Sequence, residues 1–400
     1  MVATLELLPI EQGVTSVSLD LTFENKRIDV DTHFYPRIDR REIRGLFPSG
    51  LSGQVLDMFD REAQRIADPI AIRAHMRGND KESEESGDPH RDPDARVASV
   101  RELGFDLQVL IPDGPFGNLH GVGPYTVSAP AEVRLAMCQV FNNANGAAQA
   151  KHPDVFIGTM IVPFDNVEVA AKEVRRGATE LGLRVVVLPF NWIGKNFDEF
   201  DLYPLWQEIN DLGVTVFCHG ITQGCSGRIG DHQPRYPAAF AERMRRLHLG
   251  TYMGFGMEYI MATGALTLGG VFDEFPNLRF AFFEAGASWL PYAMYASDRS
   301  FLIEPQCSRS ERLPSELIKE RCLTAIEPME SISELIAMVG SKNFFFGTDF
   351  PHPEFQVFHG AGRTVETSEP GAAAILHRVG LSDAEKTSIL GGNISRMLFR

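Results

Sequence analysis

Four short apolar runs in this chain each end in a side chain able to bind a metal ion or move a proton. The first is Asp29-Val30-Asp31-Thr32-His33. Alternate residues of a strand share a face, so Asp31 and His33 point the same way and offer a carboxylate beside an imidazole, half of a site for Zn²⁺, Mn²⁺ or Fe²⁺. The second is Val214–His219, an apolar strand closed by His219 and Gly220. The third, Phe280–Glu284, ends in a carboxylate that could ligate a metal or act as acid or base. The fourth runs from Asn343 to Asp349, with His352 three residues on. Taken singly, each has a plain alternative: a capping Asp, a hydrogen-bonded His, a salt-bridged Glu. Taken together, four strands spread from residue 27 to 349 ending in metal-competent groups match the way barrel enzymes assemble a site from several strand ends.

The elements that must carry these groups alternate. Strands are expected at Arg27–Val30, Leu107–Ile111, Phe156–Val162, Val185–Leu188, Val214–Cys218, Leu278–Phe283 and Asn343–Phe346, several of them apolar on both faces as covered parallel strands must be. Helices are expected at Ala131–Lys151, Val167–Leu181 and Leu205–Leu212. This is the rhythm of βαβ units, compatible with a barrel or an open doubly wound sheet. No glycine-rich phosphate fingerprint follows an early strand. Residues 1–26 read as an added arm, and 27–400 as one domain. Within it, residues 40–96 read as an insertion whose charged part, 75–96, is expected to be exposed and mobile. Residues 220–260, rich in Gly, Met, His and aromatics, read as a substrate loop.

Composition narrows the partners. With 38 basic and 53 acidic residues the net charge is −15, which disfavours nucleic acid and anionic membrane surfaces. Five scattered cysteines without a CxxC pair argue for a reducing compartment. The N-terminus lacks a signal-peptide pattern, so the expected location is the cytoplasm. Aromatic stretches at Tyr252–Tyr259 and Trp289–Tyr295 would suit an oligomer interface. His90, in a loop, is expected to be solvated.

The segments IDVDTHFYP, VFCHG, FAFFEAGASWLPY, FFFGTDFPHPE and ILGGNISRMLF together resemble the amidohydrolase superfamily, in the amidohydrolase-related branch that includes metal-dependent decarboxylases. The resemblance runs from about residue 27 to the end. It implies a (β/α)₈ TIM barrel, with Asp31, His33, His219 and Asp349 as metal ligands and Asp349 also handling protons. It further implies one or two divalent ions (Zn, Mn or Fe) and hydrolysis or non-oxidative decarboxylation of a small carboxylate-bearing substrate. Two positions depart from the pattern. Tyr35 breaks a His-x-His reading, leaving an acidic-x-His motif. Glu284 stands where a His is common, and an ionised carboxylate cannot donate a hydrogen bond as that His does. With Glu284 and His352 added to the ligands or catalytic groups, an alternative is a dimetal Fe/Mn oxygenase, alone or paired with a paralogous subunit. Arg228, His248 and Trp289 are the expected substrate-binding residues, with Arg235 and Arg299 as further carboxylate binders.

Overall fold

The computed structural model describes residues 25–36, 40–66, 87–113, 130–164, 166–220, 238–239, 253–350 and 371–399. Its strands are β1 (Ile28–Phe34), β2 (Leu107–Pro112), β3 (Phe156–Gly158), β4 (Val185–Leu188), β5 (Thr215–Cys218), β6 (Phe280–Phe282), β7 (Cys322–Ile326) and β8 (Phe344–Phe346). The described helices are, in order, α1 (Arg40–Leu46), α2 (Ser49–Ile66), α3 (Pro93–Glu102), α4 (Ala131–Lys151), α5 (Val167–Glu180), α6 (Tyr203–Leu212), α7 (Phe255–Thr267), α8 (Val271–Glu274), α9 (Leu290–Ile303), α10 (Pro314–Arg321), α11 (Ile332–Val339), α12 (Ala373–Leu376), α13 (Asp383–Thr387) and α14 (Asn393–Leu398).

All strand pairs are parallel. β1, β2 and β3 form one run, and β4 to β8 a second. A parallel bridge between Met160 and Val186 joins β3 to β4, and another between Thr32 and Phe350 joins β1 to the chain leaving β8. The two runs thus meet at both ends, and the fold is an α/β barrel. Alternation along the strands sorts the core into two layers. Val186, Leu188, Val216, Cys218, Phe280, Phe282, Phe344 and Phe346 pack outward with helix residues such as Trp206, Leu266 and Ile375. Val185, Val187, Phe217, Ala281, Phe283 and Phe345 fall in the other cluster, on the opposite strand face. Both faces being buried explains why these strands read as unbroken apolar runs.

The seven strands expected from the sequence are present, with edges shifted by a few residues, and α4 has the expected bounds. The eighth strand, β7, was not anticipated. Its residues, CLTAI, follow a charged helix directly, with no turn residues between them to mark a boundary. Of the stretch 75–96, expected to be exposed, the described part from residue 87 is only partly so. Asp92 caps α3 by accepting from the Asp94 amide, Arg96 is fully buried and His90 is 8% exposed. His90 lies 2.6 Å from Asp113 and takes the Tyr35 amide on its carbonyl, so it is tied down rather than solvated. The proposed interface stretches also divide: Tyr259 and Trp289 are core, whereas Met257, Tyr292 and Tyr295 are exposed. Among the described residues, no helix is long and apolar enough to cross a membrane.

Candidate metal centre

At the C-terminal ends of β1, β5, β6 and β8 five side chains converge. The ligand-capable atoms of Asp31, His33 and His219 lie within 4.8 Å of one another, as do those of His33, Glu284 and Asp349. His33 Nε2 is 3.7 Å from Asp31 Oδ1, 3.8 Å from Glu284 Oε1 and 3.1 Å from Asp349 Oδ1. His219 Nε2 is 3.8 Å from Asp31 Oδ1 and 3.6 Å from Glu284 Oε1. The two imidazoles meet edge to face, with centroids 5.2 Å apart.

The backbone arranges this convergence. In β1 the register against β2 slips between Asp29 and Thr32: Asp29 pairs with Gln108, but Thr32 pairs with Leu110. Two β1 residues, Val30 and Asp31, therefore oppose the single Val109. Such a bulge re-aims a strand locally and recurs beside active sites. Its effect is to put Asp29 on the outer face with Gln108, while Asp31 and His33 face the cluster. Glu284 and Asp349 are non-glycine residues in left-handed backbone, with φ of 53° and 57°. That conformation costs of order 1–3 kcal/mol each and gathers at functional sites, where surrounding contacts enforce it. The contacts here are visible. The Asp349 amide donates to Asp31 O at 2.9 Å, and the His33 amide to Phe350 O at 2.7 Å, so β1 and the end of β8 are stitched across the site. On the other side, the buried Tyr259 hydroxyl lies 3.0 Å from Cys218 O and 2.7 Å from Phe283 O. One phenolic hydrogen thus spans the two residues that precede His219 and Glu284. Burial holds that phenol well above its usual pKa, so it remains a donor.

The donor set fits a divalent cation. His219 Nδ1 sits 2.9 Å from Gly220 O, and His33 Nδ1 sits 3.4 Å from Pro112 O. A carbonyl can only accept, so in the neutral imidazole the proton is on Nδ1 and the Nε2 lone pair faces the carboxylates. Burial lowers the His219 pKa, favouring this neutral form, although Glu284 opposes the shift. A lone pair aimed at carboxylate oxygens is repelled unless a cation lies between them. Ligand atoms about 2.1 Å from one ion are roughly 3–4 Å apart, and the five histidine–carboxylate pairs above lie 3.1–3.8 Å apart.

Of the residues anticipated from the sequence, Asp31, His33, His219, Glu284 and Asp349 come together. His352, Arg228, Arg235 and His248 lie outside the described residues. Trp289 is buried, its indole donating to Gly286 O and its ring against Phe282 and Tyr259. Arg299 is exposed on α9. Sequence reasoning missed Tyr259, Arg96 and Gln108. Only Asp29, two residues before Asp31, carried a signal, and the bulge removes it from the shared face.

A parallel α/β barrel with carboxylates and imidazoles gathered at the C-terminal strand ends defines a class of metal-dependent barrel enzymes. Within that class, the Amidohydrolase family model matches residues 28–400, and the chain belongs to this family. It is 26% identical over 310 residues to 2-amino-3-carboxymuconate-6-semialdehyde decarboxylase of Dictyostelium discoideum, covering 77% of this chain and 76% of that protein. It is 24% identical over 274 residues to gamma-resorcylate decarboxylase of a Polaromonas species, covering 64% of this chain and 76% of the relative. Among solved structures, 5-carboxyvanillate decarboxylase of Sphingomonas paucimobilis matches with a TM-score of 0.64 at 18% identity, covering 93% of this chain and 98% of that one. A Polaromonas dihydroxybenzoic acid decarboxylase, solved with manganese and 2-nitroresorcinol, matches with a TM-score of 0.61 at 18% identity, covering 94% and 97%. At these identities the structural matches show a shared fold. The chain is an enzyme of the decarboxylase-related branch whose strand ends gather groups able to hold a divalent metal, and these relatives lend nothing to the oxygenase alternative.

Proposed function

We propose that this protein is a non-oxidative decarboxylase of a small carboxylate carried on an electron-rich aromatic ring or a conjugated enamine, and that it holds one divalent ion, Mn²⁺ before Zn²⁺ or Fe²⁺. The observation that carries the metal reading is the convergence of Asp31, His33, His219, Glu284 and Asp349, with both Nε2 lone pairs turned inward. The decarboxylase relatives and the manganese of one structural neighbour support the reaction and the metal.

These five residues would hold the ion, which would bind and polarise the substrate carboxylate and an adjacent oxygen. The chain's own groups then have distinct tasks. The Asp31 and Glu284 carboxylates would offset the ion's charge, the two neutral imidazoles would give it Nε2 lone pairs, and Nδ1 hydrogen bonds to Gly220 O and Pro112 O hold the imidazole planes. Asp349, protonated, would deliver its proton to the ring or vinyl carbon. The bond from that carbon to the carboxyl group then breaks, CO₂ leaves, and the carbon keeps the hydrogen. The Asp349 left-handed backbone aims its carboxyl into the cluster. Glu284, standing where the resembling enzymes commonly carry a His, is assigned to the metal rather than to donating a hydrogen bond. The exposed Met253, Met257, Tyr292 and Tyr295 support self-association or pairing with a paralogous chain, which the native mass measures.

The test is CO₂ release from a panel of hydroxybenzoates and amino-substituted unsaturated carboxylates, before and after chelation and Mn²⁺ return. Turnover lost on chelation, restored by Mn²⁺ and absent in Asp349→Asn is the expected result. If the panel yields no CO₂ and Asp31→Asn leaves the metal content unchanged, the reading fails.

A further inference from the structure

The metal cluster faces the inside of the barrel, but the strands that carry three of its five residues are held from behind. Arg96, on α3, is fully buried. Its Nη1 donates to His33 O at 2.7 Å and its Nε donates to Gln108 Oε1 at 2.8 Å. Gln108 Nε2 donates to Asp29 Oδ2 at 3.1 Å. Asp29 in turn accepts the Thr348 amide on Oδ1 and the Thr348 hydroxyl on Oδ2, both at 2.8 Å. The Thr348 hydroxyl also accepts the Phe350 amide at 3.2 Å, and the Arg96 guanidinium lies over the Phe34 and Phe350 rings at 5.7 and 5.2 Å. The line thus runs from α3 across the outer faces of β2 and β1 to the end of β8. It touches the backbone of His33 and of the residue before Asp349.

Nothing in the folding of a barrel requires this arrangement. A buried arginine and a buried aspartate are expensive in an apolar layer, where hydrocarbon would pack without desolvation. Burial pushes the Asp29 carboxyl up, to about 7, against the three donors that favour its ionised form. Such groups are worth keeping where they specify a geometry that packing alone does not. The geometry at stake is definite. The bulge in β1 and the left-handed Asp349 leave the two strand ends with an irregular seam, bridged by the Asp349 amide to Asp31 O and the His33 amide to Phe350 O. The buried relay spans that same seam from the opposite side.

We propose that Arg96, Gln108, Asp29 and Thr348 form a polar brace that positions Asp31, His33 and Asp349 for the metal, with Arg96 as its anchoring residue. These are positioning residues, since none of them faces the cluster. The proposal rests on the metal reading of the preceding section and adds to it which groups behind the cluster set the ion's affinity and symmetry. Partners of this kind typically alter metal affinity by 10–100-fold when removed.

The test uses the full chain, stripped of metal and titrated with Mn²⁺, reading the dissociation constant calorimetrically and the bound ion's symmetry by Mn²⁺ electron paramagnetic resonance. Arg96→Met, Gln108→Leu and Thr348→Val are each expected to weaken Mn²⁺ binding by about 10–100-fold and to broaden the spectrum. The double variant Arg96→Met/Thr348→Val should lose much less than the sum of the two single losses in log affinity, because one relay is being broken twice. Ile209→Ala, which opens a cavity in the core at α6 away from the brace, controls for loss of stability and should leave the affinity as in wild type. Should Arg96→Met fail to fold, Thr348→Val against Gln108→Leu carries the same cycle. Brace variants that melt at lower temperature yet bind Mn²⁺ with wild-type affinity and spectrum overturn the proposal, as does strict additivity. A wild-type chain that does not bind Mn²⁺, or one whose binding survives His219→Ala and Asp31→Asn, overturns the metal reading first and the brace with it.

Discussion

Gly347, between β8 and Asp349, packs against the backbone of Asp31, and replacing it by alanine tests whether the strand seam sets the site. An added Cβ at this position would lie 2.4 Å from Asp31 Cβ, 2.7 Å from Asp31 N and 3.0 Å from Asp31 Cα. Ordinary contact begins near 3.4 Å, so the nearest pair must separate by about 1.0 Å. Two of the three obstructing atoms belong to the main chain, and no rotamer change clears them. Overpacking of this kind costs about 1–3 kcal/mol. The displaced residue is a proposed ligand, and metal sites tolerate distance errors of only about 0.2 Å. Gly347→Ala should therefore lower the urea-unfolding free energy by about 1–3 kcal/mol and weaken Mn²⁺ binding by at least about tenfold, by analogy with outer-shell changes. Gly264→Ala is the control. It sits in α7 with nothing within 4 Å of the added methyl, and should be neutral or stabilising by up to about 1 kcal/mol. A Gly347→Ala protein as stable and as metal-avid as wild type would show that the Asp31–Gly347 contact does not hold the ligands in place.

Two further outcomes follow from the same structure. In Gly220→Ala the new Cβ would stand 1.9 Å from the Phe255 ring, so that ring must leave its buried seat; a loss of about 1–3 kcal/mol is expected, with weaker metal binding because Gly220 O holds His219 Nδ1, and urea titration with calorimetry reads both. Burial holds the Cys218 and Cys322 thiols well above their usual pKa and Cys138 is also buried, whereas Cys307 is exposed; brief iodoacetamide treatment at pH 8 followed by peptide mapping should, among these four described cysteines, label Cys307 and spare Cys138, Cys218 and Cys322.

Much of the site was legible because its signals are local. Each proposed ligand stands at the end of an apolar run, and strand identity follows from a few consecutive side chains. Asp31, His33, His219, Glu284 and Asp349 could thus be picked out before any contact between them was known. Strand β7 escaped because it abuts a charged helix without turn residues, although the carboxylate of Glu327 follows it directly. The charged stretch near residue 90 misled because charge usually marks solvent. Arg96 is buried only because Gln108, the His33 carbonyl and two aromatic rings surround it.

By itself, then, the sequence determined the alternating elements and the residue types at the strand ends, since both depend on neighbours a few positions apart. The tertiary structure alone decided which face each of them meets. Nothing in IDVDTHF announces the extra residue in β1; pairing with β2 creates the bulge that turns Asp29 outward and leaves Asp31 and His33 facing the cluster. The left-handed backbone of Glu284 and Asp349 is likewise enforced by packing, against local preference. The contact from Asp29 to Thr348 spans 319 positions of chain. Only closure of the barrel brings those two residues together, because it makes the first strand a neighbour of the last.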